Sequence, residues 1–136
     1  MQIHSFVKHR NDVIFVYDDF TVKEALETMK TYRYTSIPVI NRNGNYIGSL
    51  SEGDLLWDIL SVPGFDIKKA DKRLVSQVKR QRDYGVININ SEMPELISKA
   101  AEENFVPVVD DHNQFVGIIT RKTLLNYFFD HNFIIL

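Results

Sequence analysis

The sequence predicts an α+β fold in which one small βαββα unit occurs twice, packed with pseudo-two-fold symmetry and linked by a basic segment. Three observations support this prediction: an internal repeat, the same order of predicted elements in both copies, and a length of 136 residues that suits two small units. With 44% hydrophobic residues the chain can bury a core. Its net charge of −2 favours neither nucleic acid nor a membrane surface.

The repeat is clearest in the stretch 36–56, which recurs 69 positions later at 105–125. The aligned pairs include Pro38 with Pro107, Val39 with Val108, Gly48 with Gly117 and Ser51 with Thr120. Further upstream the offset is 70, which pairs Thr21 with Ser91 and Leu26 with Leu96. Self-similarity at a fixed spacing indicates that one architectural unit occurs twice.

In the first copy the predicted order is strand, helix, strand, strand, helix. Apolar, β-branched residues predict a strand at 13–17, and a capping box of Thr21 and Glu24 begins a helix with apolar residues at helical spacing. Segments 37–40 and 46–50 predict a hairpin around Asn43 and Gly44. A helix over about 53–60 follows and ends before Pro63.

The second copy has the same order of elements. A strand is predicted at 85–89, followed by a helix that Ser91 caps and that extends to 102. Strands at 106–109 and 115–119 flank a polar turn at 110–114, and a helix at 121–129 completes the copy.

These elements divide the chain into a first motif at 5–62, a basic linker at 63–80, a second motif at 81–130 and an apolar tail at 131–136. A unit of roughly 45 residues buries too little apolar area to fold alone, so the copies are expected to pack face to face around a cleft. Residues 68–82 hold seven basic side chains and one acidic one, which gives +6 and leaves −8 for the rest (−2 minus +6). This stripe predicts a local anionic partner or a solvated linker face.

The junction between the last strand and the last helix of each copy carries the candidate chemistry. Ser51 and Thr120 occupy the position of a helix N-cap, and a helix N-terminus favours a phosphate group. Asp54, one turn along, could accept hydrogen bonds from two ribose hydroxyls. The competing interpretation is that both hydroxyls only cap helices.

The pattern Pro-Val, turn, apolar strand, then Gly-apolar-apolar-Ser/Thr-x-x-Asp resembles the cystathionine-β-synthase (CBS) domain. Two copies resemble a CBS pair, or Bateman module, over about residues 5–130, of the stand-alone bacterial type without a catalytic domain. The resemblance implies a non-enzymatic sensor that binds an adenine nucleotide between the motifs and modulates a partner protein. The usual ligands are AMP, ADP, ATP, cyclic di-AMP and S-adenosylmethionine.

The resemblance also implies roles for particular residues. Phosphate contacts are expected from Ser51, Thr120, Arg121, Lys122, Lys79, Arg80 and Arg82, ribose contacts from Asp54 and Thr123, and an adenine frame from Ser36, Ile37, Phe105 and Val106. The two sites should differ, because Glu52 repels phosphate at the first and Thr123 replaces the ribose carboxylate at the second. Stand-alone bacterial CBS pairs that this sequence resembles, with a threonine, an arginine and a further basic residue but without that aspartate, include cyclic di-AMP binders, so the resemblance implies cyclic di-AMP as a candidate ligand.

Further expectations concern partners and location. The apolar residues Trp57, Tyr127, Phe129 and Phe133 predict a homodimer or partner interface. The alternative function is a ligand-free protein-interaction module that acts through its helical faces and apolar tail. Scattered histidines predict no metal site, and no cofactor is expected beyond the nucleotide as a regulatory ligand. No membrane contact is expected, nucleic acid is an unlikely partner, and the predicted location is cytoplasmic.

Overall fold

The structure, a computed structural model, describes residues 3–61, 70–80 and 85–131. Within these ranges it contains four α-helices, namely α1 (Val22–Tyr32), α2 (Glu52–Ser61), α3 (Met93–Ala100) and α4 (Arg121–Asp130). The strands are β1 (Lys8–His9), β2 (Val16–Tyr17), β3 (Ser36–Ile40), β4 (Tyr46–Ser51), β5 (Ile87–Asn88), β6 (Phe105–Val109) and β7 (Phe115–Thr120). The predicted βαββα order is confirmed in both copies.

The strands form two small mixed sheets. One has the order β2-β3-β4, with β2 parallel and β4 antiparallel to β3. The other has the order β1-β7-β6-β5, in which β5, β6 and β7 repeat that pattern and β1 adds an antiparallel edge to β7. No helix in the described part of the chain is long and apolar enough to cross a bilayer.

The chain divides into two compact units, each with its own core. The first-repeat unit comprises Ile14–Asp83, and the second-repeat unit comprises Met1–Val13 together with Tyr84–Leu136. Each repeat is therefore completed by the segment that precedes the other repeat in the sequence. This division differs from the predicted motif boundaries, because packing in three dimensions, and not position in the sequence, determines the unit to which each of these two segments belongs.

Residues 70–78 are an integral part of the first-repeat unit. Ala70, Val75 and Val78 are buried in its core, next to residues of α1. The first amides of α1 bind this segment, since Val22 N donates to the Arg73 carbonyl at 2.7 Å. The structure thus anchors 70–78 to the core of this unit through three buried residues, and residues 62–69 lie outside the described ranges.

The N-terminal segment has the corresponding place in the second-repeat unit. Ile3 and Phe6, in a short 3₁₀ helix (Ile3–Phe6), are buried in its core, and the Phe6 ring meets Tyr127 edge to face at 5.0 Å. In β1, His9 lies opposite Gly117 of β7. A side chain at Gly117 would overlap the Lys8 carbonyl, so glycine permits this close pairing.

Helix α1 begins as predicted, whereas α3 does not. Both halves of the Thr21–Glu24 capping box are present. The predicted Ser91 cap is wrong, because the N-cap of α3 is Glu92 and the Ser91 hydroxyl accepts from the Asn88 amide. The positions of the buried residues in the two helices explain the error. Equivalent positions of α1 and α3 are 71 residues apart, so Glu92, and not Ser91, corresponds to Thr21. The helix also ends at Ala100 rather than at 102.

Candidate ligand-binding site

The strand–helix junctions of the two units are built in the same way. Strand pairing sets Ser36 directly opposite Ser51, and Phe105 directly opposite Thr120. Directly opposed residues in an antiparallel pair lie on the same face of the sheet, with Cβ atoms about 5 Å apart. Each pairing extends into the helix, where Glu52 N donates to the Thr35 carbonyl at 3.0 Å in the first unit. The second unit repeats this bond between Arg121 N and the Asn104 carbonyl at 2.9 Å.

Ser51 and Asp54 form a reciprocal cap at the start of α2. The Asp54 amide donates to Ser51 Oγ at 3.0 Å, and the Ser51 amide donates to Asp54 Oδ2 at 2.9 Å. The predicted Ser51 cap is confirmed. The Ser-x-x-Asp spacing is also that of a capping box, which the sequence prediction for Asp54 overlooked. Asp54 is only 1% exposed, so its carboxylate has a fixed position.

Ser36 supplies an unsatisfied polar atom beside this cap. Its Oγ is buried and has no hydrogen-bond partner among the described residues. By contrast, the hydroxyl of Ser49, which is buried and precedes Ser51 by two residues in β4, lies 2.7 Å from the Tyr46 hydroxyl. Because an unpaired buried hydroxyl is costly, a polar group opposite Ser51 is an indication of a binding site.

The second junction has hydroxyls where the first has a carboxylate. Thr123 N donates to Thr120 Oγ1 at 3.1 Å, which confirms the predicted Thr120 cap, and the two hydroxyl oxygens are 2.8 Å apart. Thr123 and Lys122 are exposed. This junction therefore offers two neutral hydroxyls and the exposed ammonium group of Lys122, in a more open setting than the Ser51–Asp54 cap.

Arg121 has a structural role that the sequence did not predict. Its Nε donates to the Ala100 carbonyl at 2.8 Å, and Nη2 donates to the Ala101 carbonyl at 3.3 Å. These carbonyls end α3, so the guanidinium caps the negative end of that helix. The expected phosphate contact of Arg121 stays a prediction.

The basic run is partly neutralised within the first-repeat unit. The Arg73 guanidinium binds the carboxylate of the buried Asp58 through two bonds of 2.7 and 2.6 Å. This hydrogen bonding with Asp58 raises the pKa of Arg73 above its ordinary value. Arg73 is therefore not available to a ligand, and no sequence pattern had indicated its pairing with Asp58.

Two other members of the run stay near the surface. Lys79 is exposed, whereas Arg80 is half-buried and donates through Nη2 to the Ile47 carbonyl at 3.4 Å. Ile47 precedes Ser51 by four residues, which corresponds to about 13 Å along a strand. The structure therefore places the Arg80 guanidinium near the start of β4 rather than at the Ser51 cap. Arg82, with an expected phosphate role, lies outside the described residues.

The remaining predicted residues separate into core and surface positions. Ile37 and Val106 are fully buried in the cores of their units, so any contact with a base would use their backbone. Trp57 and Phe129 are 57% and 77% exposed. Tyr127 is packed within its unit against Phe6 and His131, and its predicted interface role stays a prediction. Phe133 lies outside the described residues.

Two α+β repeats with hydroxyl-capped strand–helix junctions define a tandem-repeat module. The sequence profile of the CBS domain matches residues 5–61 and 75–130. The chain therefore belongs to the CBS domain family, and the predicted pair of CBS motifs is confirmed.

Similar proteins extend this assignment. Inosine-5'-monophosphate dehydrogenase of Methanocaldococcus jannaschii is 28% identical over 118 residues, which cover 84% of this chain. The chain spans only 21% of that dehydrogenase's length. The crystal structure of CbpB in complex with c-di-AMP has a TM-score of 0.88 at 22% identity and covers 98% of this chain and 89% of that one. CBSX2 in complex with AMP has a TM-score of 0.76 at 22% identity, covering 96% and 98%. At this identity the structures show the shared fold.

Proposed function

We propose that the chain is a non-enzymatic regulatory module that binds an adenine nucleotide at its first strand–helix junction and thereby modulates a partner protein. The observation that carries this proposal is the Ser36 hydroxyl, which lies opposite the Ser51–Asp54 cap and has no hydrogen-bond partner in the described part of the chain. A buried polar atom beside a fixed carboxylate suits a ligand with both hydroxyl and amine groups. Ribose and adenine supply these.

Asp54 is the proposed ribose acceptor. One carboxylate oxygen is already oriented by the Ser51 amide, and a carboxylate oxygen can accept more than one hydrogen bond. Bonds from two ribose hydroxyls to an ionised carboxylate are charge-assisted and hence stronger than neutral ones. The start of α2 stabilises the negative charge through the helix dipole.

Ser36 is the proposed contact to the base. Its hydroxyl can donate or accept, so it can pair with a ring nitrogen or with the exocyclic amine of adenine. The neighbouring Ile37 belongs to the core and holds the strand in place. A contact there would satisfy the hydroxyl that the protein alone leaves unpaired among its described residues.

Lys79 is the proposed source of positive charge for the phosphate. It belongs to the same unit as the Ser51 cap and is exposed, and its neighbour Val78 is anchored in the core. Glu52 is exposed at the first turn of α2, so phosphate is expected to approach from the side away from that carboxylate. The second junction has no equivalent carboxylate, and we expect weaker ribose binding there.

The ligand class is supported by the structural relatives in complex with c-di-AMP and AMP. Regulation requires that the nucleotide bind two states of the protein with different affinities. The factor by which the nucleotide changes the affinity for a partner then equals the factor by which the partner changes the affinity for the nucleotide.

Isothermal titration of AMP, ATP, cyclic di-AMP and S-adenosylmethionine into the wild type and Asp54→Asn tests the proposal. The asparagine keeps an oxygen for the Ser51 amide but loses the charge, so we expect about a tenfold loss of affinity. Glu27→Gln, an exposed neutralisation on α1, should bind like the wild type. Absence of binding by all four compounds would contradict the proposal and favour the ligand-free interaction module.

A further inference from the structure

The first helices of the two repeats, α1 and α3, differ in what contacts their starts. In the first-repeat unit the start of α1 is covered by the segment 70–74. The Val22 amide donates to the Arg73 carbonyl at 2.7 Å, and the Lys23 amide donates to the Ala70 carbonyl at 2.9 Å. Ala70 is 1% exposed, so the segment also fills a hollow in the core. Because 70–74 follows α2 in the sequence, the chain that leaves the second helix of this repeat completes the start of its first helix.

The equivalent place in the second-repeat unit is a pocket of about 470 Å³ beside the first turn of α3. Its apolar lining consists of Ile3, Ile89, Met93 and Pro94. Met93 corresponds to Val22, since each is the first residue of its helix. In the described part of the chain, no backbone carbonyl accepts from the Met93 amide. The pocket therefore offers an N–H donor and apolar surface to a further segment of chain.

The end of α4 lies close to this pocket. The ring of Tyr127 meets that of Phe6 at 5.0 Å, and His131, the last described residue, stacks on Tyr127 at 4.0 Å. Ile3, in the pocket lining, is one 3₁₀ turn from Phe6, which corresponds to about 6 Å. The five residues 132–136 span about 17 Å when extended, so they can reach the pocket from His131.

The first repeat shows the same route for the chain. Asp58 on α2 binds Arg73 of the covering segment through two bonds of 2.7 and 2.6 Å. Tyr127 occupies the equivalent position on α4, 69 residues later in the sequence. The composition of the tail also fits, since residues 133–136 are Phe-Ile-Ile-Leu and their burial against an apolar lining is favourable.

We propose that residues 132–136 fold back into the pocket at the start of α3 of the same chain. There a backbone carbonyl of the tail accepts from the Met93 amide, and its apolar side chains cover Ile3 and Ile89. In each repeat the chain that leaves the second helix then completes the start of the first. The contact is independent of nucleotide binding. A tail held in this way reaches a partner protein only when the contact opens.

Amide hydrogen exchange followed by NMR tests the contact. Exchange at Met93 should become about tenfold faster in a chain that ends at His131, because the amide loses its acceptor. The full-length double variant Ile134→Ser, Ile135→Ser should show the same direction of change. The amides of Val22 and Lys23 serve as internal controls, since the segment 70–74 binds them in every variant. Unchanged exchange at Met93 in the shortened chain overturns the proposal and assigns the pocket to another segment.

An engineered disulfide tests which chain supplies the tail. The protein has no cysteine of its own, so Asn90→Cys with Ile135→Cys introduces a single pair. Asn90 is exposed and lines the pocket, and a disulfide requires Cα atoms within about 7 Å. Ser98→Cys with Ile135→Cys is the matched control, because Ser98 is exposed on α3 outside the pocket lining.

Mass spectrometry of the oxidised, unreduced proteins at low concentration reads out the two pairs. We expect a disulfide within one chain for the Asn90 pair and at least tenfold less for the Ser98 pair, since formation depends on proximity. A disulfide that joins two copies, or equal yields from both pairs, overturns the proposal.

Discussion

The Asp54 carboxylate combines two properties that rarely occur together on a surface helix. It is ionisable, and it is 1% exposed with one oxygen hydrogen-bonded to a backbone amide. The Ser51 hydroxyl completes the arrangement by binding the Asp54 amide. A local capping motif thus fixes the group to which we assign ribose recognition, so the stability of α2 and the affinity for a ligand are coupled at these residues.

Two matched variants distinguish an effect on nucleotide affinity from an effect on the stability of the fold. Ser51→Ala and Thr21→Ala each remove the hydroxyl of a capping box, so each should lower the free energy of unfolding by about 1 kcal/mol in urea titrations. Only Ser51→Ala frees the Asp54 amide, and it alone should weaken nucleotide binding. Equal affinities of the two variants would show that the cap does not position Asp54.

The hairpin turns of the two repeats contain equivalent side-chain hydrogen bonds, but the accepting side chain is charged in only one of them. In the second repeat the Asp110 side chain accepts from the amides of His112 and Gln114, both at 2.9 Å. These bonds lower the pKa of Asp110 below its ordinary value of 3.8. In the first repeat Asn41 accepts the corresponding bonds from Asn43 and Asn45 without any charge.

A lowered folded-state pKa stabilises the fold above the unfolded-state pKa of the carboxyl, and this stabilisation is lost as the pH falls through the folded value. Asp110→Asn, which copies the first repeat, should therefore remove part of the acid sensitivity of unfolding. The difference in unfolding free energy between wild type and variant should change as the pH falls below about 5, through the unfolded and then the folded pKa of Asp110. A difference that is constant over this range would contradict the assignment.

At the scale of elements, one ion pair adds to the core residues and backbone bonds that hold the segment 70–78 on the first repeat. Asp58 on α2 is buried, and its two bonds to Arg73 fix the segment against the first repeat. Arg73 also donates to the Gln77 carbonyl at 3.2 Å. These contacts support the orientation of the following residues, including Lys79.

Removal of this pair should be costly because it leaves a buried carboxylate without its partner. Arg73→Met should lower the free energy of unfolding by about 3 kcal/mol, measured by urea denaturation. Arg42→Met is the matched control, since the Arg42–Asp19 pair is exposed and should contribute little. Similar losses in both variants would mean that the burial of Asp58 has no consequence for stability.

The elements that the sequence predicted well are those set by local patterns. The Thr21–Glu24 box, the hairpin around Gly44 and the N-caps at Ser51 and Thr120 all rest on contacts within a few residues, and all are present. The Ser91 cap was wrong because serine is a preferred N-cap residue, whereas Glu92, the actual N-cap, makes no side-chain cap bond and is identified only from the packing of the helix.

Long-range contacts were beyond the sequence patterns. The Arg73 side chain looked like one member of a basic stripe, yet a partner 15 positions earlier neutralises it. Arg121 looked like a phosphate ligand, yet it binds carbonyls about 20 positions earlier. Charge and motif alone did not reveal either pairing, because tertiary packing brings these groups together.

At the scale of the whole molecule, the two repeats share an architecture but differ in the chemical groups at their strand–helix junctions. The first junction has a buried carboxylate and the Ser36 hydroxyl, which no group in the residues 3–61, 70–80 and 85–131 binds. The second has two threonine hydroxyls and an arginine that caps α3. Duplication of the unit thus leaves one site with features suited to a nucleoside, and we expect unequal occupancy by a nucleotide.

The most direct measurement is a titration of the ¹⁵N-labelled protein with AMP, followed by two-dimensional amide NMR. We predict that the largest shifts at low nucleotide concentration occur at residues 35–37 and 51–54, with smaller shifts at 104–106 and 120–123. Shifts confined to the helical faces around Leu60 and Phe129, or no shifts with AMP or cyclic di-AMP, would contradict nucleotide binding at the Ser51–Asp54 junction.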